Sequence, residues 1–431
     1  MKLLINPSTE KWTKHLARPV QQTKKINKIV KPILEKVARS GDKALRKFAE
    51  EFDHVELDSL LVSPEEVNAA KELVSKELKK AIEVAKANIE KFHAAQASPE
   101  LIVEVMPGVT CRRKSVPIQR VGLYIPGGTA PLFSTVLMLG IPAQLAGCAE
   151  VVLCTPSNSK GQVHPAILYA ADLVGISKIV KVGGAQAIAA MTFGTASVPK
   201  VDKIFGPGNQ YVTAAKQLAT KHGVAIDMPA GPSEVLVYAD DTAIPAFVAA
   251  DLLSQAEHGV DSQVVLVTPS EKLAVQVLHE LNLQLETLPR KDIAYKALQH
   301  SCTVVMEDQA SAIALINDYA PEHLILAIAE EEEVIAQIYN AGSVFIGNFT
   351  PEAAGDYASG TNHTLPTYGY ARNYSGVSLD SFVKKITYQK ISPQGLKKLG
   401  PSVEIMAAYE DLDAHKLAVT VRLNYLKEKK K

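Results

Sequence analysis

The sequence predicts an α/β protein built from two packed, incomplete Rossmann-like domains with parallel sheets. Three observations support this fold class: short continuous apolar runs, helical patterns between them, and the large number of runs. Parallel strands joined by helices are buried on both faces, so they appear as continuous apolar segments rather than as alternating ones. The runs are too many for one sheet of ordinary size. We therefore expect two sheets of related construction.

The bulk composition excludes several classes of partner. The 431 residues carry 46 Lys+Arg and 46 Asp+Glu, so the formal net charge is zero and nothing attracts nucleic acid or an acidic membrane in bulk. No apolar run approaches the roughly 20 residues needed to span a bilayer. The cysteines are scattered, as reduced thiols usually are: Cys111, Cys148, Cys154 and Cys302. We expect a cytoplasmic protein without nucleic-acid or membrane partners.

The first hundred residues are predicted to be largely helical. In the segment 63–66 (SPEE), Ser63 can cap a helix, Pro64 suits its first position and Glu66 completes a capping box. Apolar residues then recur at near-helical spacing. The pattern predicts one long amphipathic helix that ends near residue 96.

From about residue 102 the pattern changes to strands. Residues 101–105 and the segment after Pro107-Gly108 predict a short hairpin. The following apolar runs are the predicted strands of the two sheets: 120–124, 150–154, 177–181, 202–205, 224–227, 234–239, 263–268, 302–306, 323–328 and 343–347. Residues from about 376 onward have Lys-rich helical patterns without a further clear strand, which predicts a small C-terminal appendage.

We expect a discontinuous domain organisation. An N-terminal arm comprises residues 1–20. The first α/β domain combines residues 21–104 with 235–375. A second α/β domain of residues 105–234 is inserted between them, and residues 376–431 form a C-terminal tail domain.

The segment 242–258 predicts a helix with one polar side. Four side chains fall on that side of a helical projection: Asp251, Ser254, Gln255 and His258. Gln255 and His258 are three residues apart, so they can converge on one point, and imidazole with an oxygen ligand suits zinc. The alternative is a solvated polar face whose final histidine favours the negative helix end. Taken alone, the residues favour this alternative.

Adjacent Glu322 and His323 stand at the beginning of a predicted strand. Histidine, with an unperturbed pKa of about 6.5, is a natural general base, and Glu322 could act on a second proton. However, α/β folds usually carry catalytic groups at the carboxyl ends of strands. A catalytic pair and a surface turn are therefore equally supported.

Residues 354–363 predict a long ordered loop, flanked by Pro351 and Pro366. It contains Asp356 and His363, and loops of this length are often functional. Taken alone, Asp356 is as well explained as the cap of a turn.

Glycine-containing turns follow three predicted strands, at 126–128, 183–186 and 206–209. Each can bring backbone N–H groups and a helix N-terminus to a phosphate. None is the G-x-G-x-x-G of an ordinary dinucleotide fold, and no P-loop occurs. A plain strand-to-helix turn is favoured for any single one, so these turns only suggest a nucleotide.

Together these segments resemble the histidinol dehydrogenase family, in the family's order and over nearly the whole chain. The resemblance is carried by IDMPAGPSEV (226–235), DLLSQAEHG (251–259), APEHLI (320–325), GDYASGTNHTLPTYG (355–369) and AHK (414–416). The first twenty residues add nothing to it.

The resemblance implies a role for each matching residue. The zinc ligands, for one ion per subunit, are implied to be Gln255, His258, Asp356 and His415. The implied catalytic pair is Glu322 and His323, and the implied NAD contacts are Tyr124, Gln186 and Asn209. The implied substrate contacts are Ser233, Gln255, His258, His323, Asp356, His363, Glu410 and His415.

The resemblance also implies an activity. L-Histidinol would be oxidised through bound L-histidinal to L-histidine, the last steps of histidine biosynthesis, with two successive hydride transfers to NAD. His323 would take the alcohol proton and Glu322 would activate water. The family's homodimer implies that Glu410 and His415 serve the partner subunit's site.

Three alternative functions are weaker. The first is a relative that oxidises another polar alcohol, against which Ser233, His363 and Glu410 argue as substrate contacts. The second is a zinc hydrolase, which the glycine turns disfavour. The third is a non-catalytic nucleotide-binding protein, which the four implied metal ligands disfavour.

A cysteine nucleophile is a separate alternative. Cys111 or Cys148 would allow a thiohemiacetal route. Arg112 and Arg113 follow Cys111, whereas no activating neighbour stands out near Cys148. A structural role is favoured for both thiols.

Overall fold

A computed structural model describes residues 1–19, 23–127, 130–229 and 231–428. In chain order the strands are β1 Lys2–Ile5, β2 Leu101–Met106, β3 Val109–Pro117, β4 Arg120–Tyr124, β5 Glu150–Thr155, β6 Lys178–Lys181, β7 Lys203–Phe205, β8 Ala225–Ile226, β9 Glu234–Ala239, β10 Gln263–Thr268, β11 Cys302–Val305, β12 His323–Ala327, β13 Ser343–Ile346 and β14 Val383–Ile391.

The α-helices surround these strands. They are α1 Thr9–His15, α2 Thr23–Asp53, α3 Pro64–Leu73, α4 Lys76–Ala94, α5 Phe133–Ala146, α6 Pro165–Leu173, α7 Gly184–Phe193, α8 Gln210–Ala219, α9 Pro245–Ala256, α10 Glu271–Leu285, α11 Lys291–Leu298, α12 Gln309–Tyr319, α13 Glu331–Ile335, α14 Glu352–Tyr357, α15 Pro393–Tyr409 and α16 Asp413–Glu428.

Two parallel sheets share one strand order. The five-stranded sheet runs β6-β5-β4-β7-β8, which is the Rossmann order without its last strand. The six-stranded sheet runs β1-β11-β10-β9-β12-β13, so β9 to β13 repeat the same order and β1 is added at the edge. The predicted fold class of two incomplete Rossmann-like units is confirmed.

The apolar runs form strands because both faces of each sheet are covered. Every residue of β9 and β10 is buried. Separate apolar clusters lie on the two faces of each sheet, so these strands show no polar alternation. The predicted strands of both sheets are confirmed, each within about two residues at its ends.

The single long helix predicted after Ser63 is wrong. Two helices, α3 and α4, replace it, because Val74 adopts an extended conformation and Ser75 caps α4 by accepting from the Leu78 N–H. A serine with a free side chain offers the backbone such an alternative to continuing the helix. The capping box of Ser63 and Glu66 is confirmed.

Two strands were absent from the sequence prediction. β1 pairs with β11 in the segment that had been expected to be an N-terminal arm. β14 pairs antiparallel with β3 in the tail, where no strand was expected. Both are short or largely exposed, so neither shows a continuous apolar run.

The chain divides into two compact units. One comprises Met1–Gln96 and Ile118–Phe382 and contains both parallel sheets. The other comprises Ala97–Pro117 and Val383–Lys431 and contains the antiparallel sheet β14-β3-β2 with α15 and α16. The predicted hairpin of residues 101–105 is confirmed as β2 and β3, but it belongs to the same unit as the tail.

The position of α2 also differs from the predicted domain boundaries, which grouped residues 21–104 with 235–375. α2 packs against α7 and α8, and Val30 and Leu45 share an apolar cluster with Val152 of β5. Its apolar stripe covers one face of the five-stranded sheet. Among the helices that the structure describes, none is both long and apolar enough to cross a membrane.

Candidate active site

A polar cluster lies at the amino edge of the six-stranded sheet. Glu322 and His323 stand at the beginning of β12, and both are buried. β12 pairs in parallel with β9, with His323 opposite Val235, so the first residue of β9, Glu234, lies beside the pair. The cluster therefore occupies the opposite edge from the one usually used by α/β enzymes. A surface turn is excluded by this burial.

The neighbours of His323 define which ring nitrogen is basic. Nδ1 lies 3.0 Å from the backbone oxygen of Glu234, and Nε2 lies 3.5 Å from Asp356 Oδ1. A carbonyl oxygen only accepts, so Nδ1 donates to it and Nε2 is the ring nitrogen that remains to exchange a proton. The geometry assigns the basic role to Nε2.

Charge controls the protonation of this cluster. Burial alone would lower the pKa of His323, but the carboxylates of Glu352, Glu322 and Asp356 outweigh it and raise that pKa. Burial raises the pKa of Glu322 to about 8. Glu322 is therefore not an ordinary acidic carboxyl. A carboxyl with this pKa can both take up and release a proton near neutral pH.

Gln255 points into the cluster rather than into solvent. It is 1% exposed, and its amide nitrogen lies 2.9 Å from Glu352 Oε1, 2.9 Å from His323 Nδ1 and 3.3 Å from the Glu234 oxygen. The solvated-face alternative is therefore wrong for this residue. α9 ends at Ala256, two residues before His258, so the predicted helix end is also wrong.

His258 follows α9 in a turn, and its backbone N–H donates to the backbone oxygen of Gln255 at 3.3 Å. Its side chain is exposed. Removal of water by the surrounding protein lowers its pKa, and nearby Asp356 partly offsets this effect. The neutral imidazole that this favours is the form that binds a metal.

Asp356 and His363 belong to the same cluster. The predicted loop contains α14, which carries Asp356, so its description as loop throughout is wrong. His363 Nδ1 lies 2.7 Å from the Asp356 carbonyl, and its Nε2 lies 3.1 Å from Thr135 Oγ1. Burial would raise the pKa of Asp356, but its close interaction with the His323 ring lowers it overall.

Three buried polar atoms of the cluster have no hydrogen-bond partner among the described residues: Gln255 Oε1, His323 Nε2 and Glu352 Oε2. Such atoms are costly unless a ligand or ion completes them. The ligand atoms of His323, Glu352 and Asp356 lie within 4.8 Å of one another. Nitrogen and oxygen donors at this spacing fit zinc.

Glu352 was absent from the sequence prediction. It is 1% exposed, and burial raises its pKa to about 8. The available signal was its spacing: Glu352 and Asp356 are four residues apart and therefore face the same side of one helical turn.

A second candidate site lies at the carboxyl edge of the five-stranded sheet. Tyr124, Gln186 and Asn209 line one cavity of about 1000 Å³. Tyr124 OH accepts from the Gly184 N–H at 3.0 Å, where α7 begins, and Asn209 Oδ1 accepts from two N–H groups at the beginning of α8. The turn at 126–128 lies only partly within the described residues, because Gly128 does not.

The remaining predicted site residues are placed as follows. Ser233 directly precedes Glu234 and is half-buried. Glu410 directly follows α15 and His415 lies in α16, both in the second unit and both exposed. Among the predicted site residues, Glu410 and His415 are the two that do not belong to the unit with the parallel sheets.

Two incomplete Rossmann sheets with a nucleotide-sized cavity and a buried His–carboxylate cluster are typical of an NAD-type α/β oxidoreductase. Residues 16–423 match the family described as histidinol dehydrogenase. The chain is 61% identical over 427 residues to a histidinol dehydrogenase of Bacteroides thetaiotaomicron, covering 99% of this chain and 100% of that one. It is 54% identical over 415 residues to one of Mannheimia succiniciproducens, covering 96% of each.

A solved structure agrees. The crystal structure of histidinol dehydrogenase from Elizabethkingia anophelis superposes with a TM-score of 0.97 at 58% identity and covers 99% of both chains. The chain belongs to the histidinol dehydrogenase family, whose members are oxidoreductases of histidine biosynthesis. The family resemblance is confirmed.

Proposed function

We propose that this protein oxidises L-histidinol through bound L-histidinal to L-histidine, using NAD in both steps. The observation that carries the proposal is the buried Glu322-His323 pair, in which the Glu234 carbonyl holds Nδ1 of His323 and leaves Nε2 to exchange a proton. An alcohol holds its proton far above neutrality, so its oxidation needs a positioned base. The 61% identity to an enzyme of this name supports the substrate.

The two residues divide the proton transfers. His323 takes the alcohol proton on Nε2 in the first oxidation. Glu322, whose pKa burial raises to about 8, then takes a proton from the water that adds to the aldehyde. The backbone of Glu234 holds both residues during the two oxidations, because its N–H donates to Glu322 and its carbonyl accepts from His323.

The cavity at the carboxyl edge of the five-stranded sheet is the proposed NAD site. When bound, NAD accepts the hydride in each oxidation. Gly183 and Asn209 precede α7 and α8, so two helix N-termini line the cavity, and their positive dipole ends suit the pyrophosphate. Tyr124 fixes the first of these turns through the Gly184 N–H.

The amino-edge cluster is the proposed zinc site. Gln255, His258 and Asp356 would hold the ion with His415 of the partner subunit, and the unpaired Gln255 oxygen supports this assignment. When bound, zinc would act as a Lewis acid that orients the substrate near the base. Ser233 and His363, together with Glu410 of the partner subunit, are the proposed further substrate contacts.

Exposed apolar residues of the second unit support a homodimer. Ile405, Met406, Tyr409 and Leu417 are each at least 59% exposed on α15 and α16. Apolar surfaces of this kind usually mark protein interfaces. We infer that this unit crosses to the partner, and the free cysteines favour a reducing, cytoplasmic location.

The proposed activity is tested with metal-replete protein, histidinol and NAD. We expect NADH absorbance to rise and two NADH to form per histidine. No rise would contradict the dehydrogenase proposal. A rise with other alcohols but not with histidinol would instead assign a different substrate.

The exchange of C-terminal units is tested by mixing two inactive variants, His323→Ala and His415→Ala. If His415 serves the partner, one site of the mixed dimer carries both substitutions and the other site is intact, so activity returns. If His415 serves its own chain, each site of the mixed dimer is defective and no activity returns. Each variant alone is the control.

A further inference from the structure

The backbone of Glu234 contacts both members of the catalytic pair. Its N–H donates to Glu322 Oε2 at 2.8 Å, and its carbonyl oxygen accepts from His323 Nδ1 at 3.0 Å. The parallel pairing of β9 with β12 brings this peptide to the pair. The orientation of the His323 ring, and therefore of Nε2, depends on where the backbone of this one residue lies.

The side chain of Glu234 is buried and held by Arg18. The guanidinium Nε donates to Oε1 and Nη2 donates to Oε2 at 2.8 Å, while the Tyr368 N–H donates to Oε1 at 2.8 Å. A buried carboxylate has lost its hydration and needs such partners. A two-point fork also fixes the rotation of the carboxylate, which a single point charge does not.

Arg18 also contacts the segment that leads to the pair. Its Nη2 donates to the Tyr319 oxygen at 2.8 Å, and the guanidinium carbon lies 4.1 Å from the centroid of the Tyr319 ring. Tyr319 ends α12, three residues before Glu322. One guanidinium therefore connects the beginning of β9 with the turn that carries Glu322 and His323.

We propose that Arg18, acting through Glu234, is a positioning residue for the Glu322-His323 pair; the inference rests on the proposed function. Arg18 holds the Glu234 side chain, and the backbone of Glu234 orients Glu322 and His323. It donates no proton to the substrate and binds neither NAD nor the metal. Misplacement of a reacting group by about 1 Å costs about 100-fold in rate, so loss of this anchor should lower kcat strongly.

The test is Arg18→Ala in the zinc-loaded protein, with histidinol and NAD. We expect kcat to fall by about 10- to 100-fold, with the KM for NAD changed less than about two-fold and the zinc content unchanged. We also expect a non-denaturing concentration of guanidinium chloride to restore part of the lost kcat, because the free cation can occupy the vacated position. Equal concentrations of sodium chloride should not.

The matched control is Arg372→Ala. Arg372 donates to the backbone oxygen of Asp318, directly before Tyr319, but its side chain is half-exposed and it does not contact Glu234 in the described residues. Its loss should leave kcat unchanged. Unchanged kcat in Arg18→Ala would overturn the proposal, and so would a loss of kcat accompanied by loss of zinc and insensitive to guanidinium.

Should Arg18→Ala fail to fold, Arg18→Lys and Glu234→Gln carry the test. Lysine keeps the charge but not the fork, and glutamine keeps the shape but not the charge. A reduced kcat at full zinc content in both variants supports the proposal, and full activity in either overturns it. Failure of the proposed function is distinguishable, since wild-type protein would then form no NADH from histidinol.

Discussion

The two parallel sheets share one strand order but place their sites at opposite edges. At the carboxyl edge of the five-stranded sheet, α6, α7 and α8 begin around the cavity. At the amino edge of the six-stranded sheet, α9 and α12 end beside the polar cluster. Helix N-termini favour anions and helix C-termini favour cations. The same topology therefore gives one edge that suits an anion and another that suits a cation, in agreement with the proposed NAD and metal sites.

Substitutions at the amino edge of the six-stranded sheet should have the largest effects on activity and on zinc content. We expect His323→Ala to lower kcat about 1000-fold, the usual worth of a general base, while zinc and NAD binding persist. His258→Ala should instead lose zinc. Steady-state kinetics and elemental analysis of both variants check this prediction.

The pair of variants also separates two possible ligand sets. Loss of zinc from His323→Ala would show that the metal is held by His323, Glu352 and Asp356, whose ligand atoms lie close together. Full zinc in His258→Ala would remove His258 from the ligands.

At the carboxyl edge the expected effect is smaller and of another kind. Tyr124→Phe leaves the Gly184 N–H unpaired at the beginning of α7. The loss of about 1 kcal/mol should raise the KM for NAD about five-fold, without loss of zinc. The control is Tyr169→Phe, whose hydroxyl makes only a 3.4 Å contact to Glu83 away from the cavity. Equal effects in both variants would contradict the role of Tyr124.

The contact between His93 of α4 and Asn362 should add a pH-dependent contribution to the free energy of unfolding. Burial lowers the pKa of His93, whose Nδ1–H donates to the Ile89 oxygen and whose Nε2 lies 3.3 Å from Asn362. The folded state therefore favours neutral His93. Its stabilisation is complete above the unfolded pKa of about 6.5 and is lost as the pH falls below it.

His93→Gln tests this contribution. We expect the free energy of unfolding to fall by about 1 kcal/mol at pH 7, from the lost hydrogen bonding, and to depend less steeply on pH between 7 and 5 than in wild type. Denaturant titrations at several pH values measure both quantities. An identical pH dependence would exclude His93 as its source.

The smallest effect is expected from the cysteines. Burial raises the pKa of Cys148 to about 11 and that of Cys154, at the carboxyl edge, to about 12. At pH 8 only about one Cys148 in a thousand is then a thiolate, so neither thiol is an effective nucleophile. Cys148→Ala should keep its activity within about two-fold. A complete loss of activity in a folded variant would revive the thiohemiacetal route.

How far the sequence predicts this molecule depends on what each pattern encodes. Continuous apolar runs predict the buried strands because burial on both faces leaves no alternative pattern. β1 and β14 lie at edges where few residues are buried, and the break at Ser75 needs only one hydrogen bond. The resemblance implies the roles of Gln255 and His323, but not that Glu352 lies beside them.

Sequence patterns do not predict the contact between Arg18 and Glu234 for a similar reason. Arg18 and Glu234 are separated by 216 positions, and each alone is an ordinary charged residue. Nothing local marks either as buried. Only the tertiary pairing of β9 with β12 brings their contact beside the base.

The strand β1 has a consequence for how far the chain can be shortened. It covers the outer side of β11, and it is only four residues long with a lysine at its beginning, which makes it a poor template for a further strand. A chain cut to the family-matched residues 16–423 would keep Arg18 but leave unpaired those N–H and C=O groups of β11 that bond to β1, while the groups that bond to β10 stay paired. Such a shortened protein should be prone to strand-to-strand aggregation.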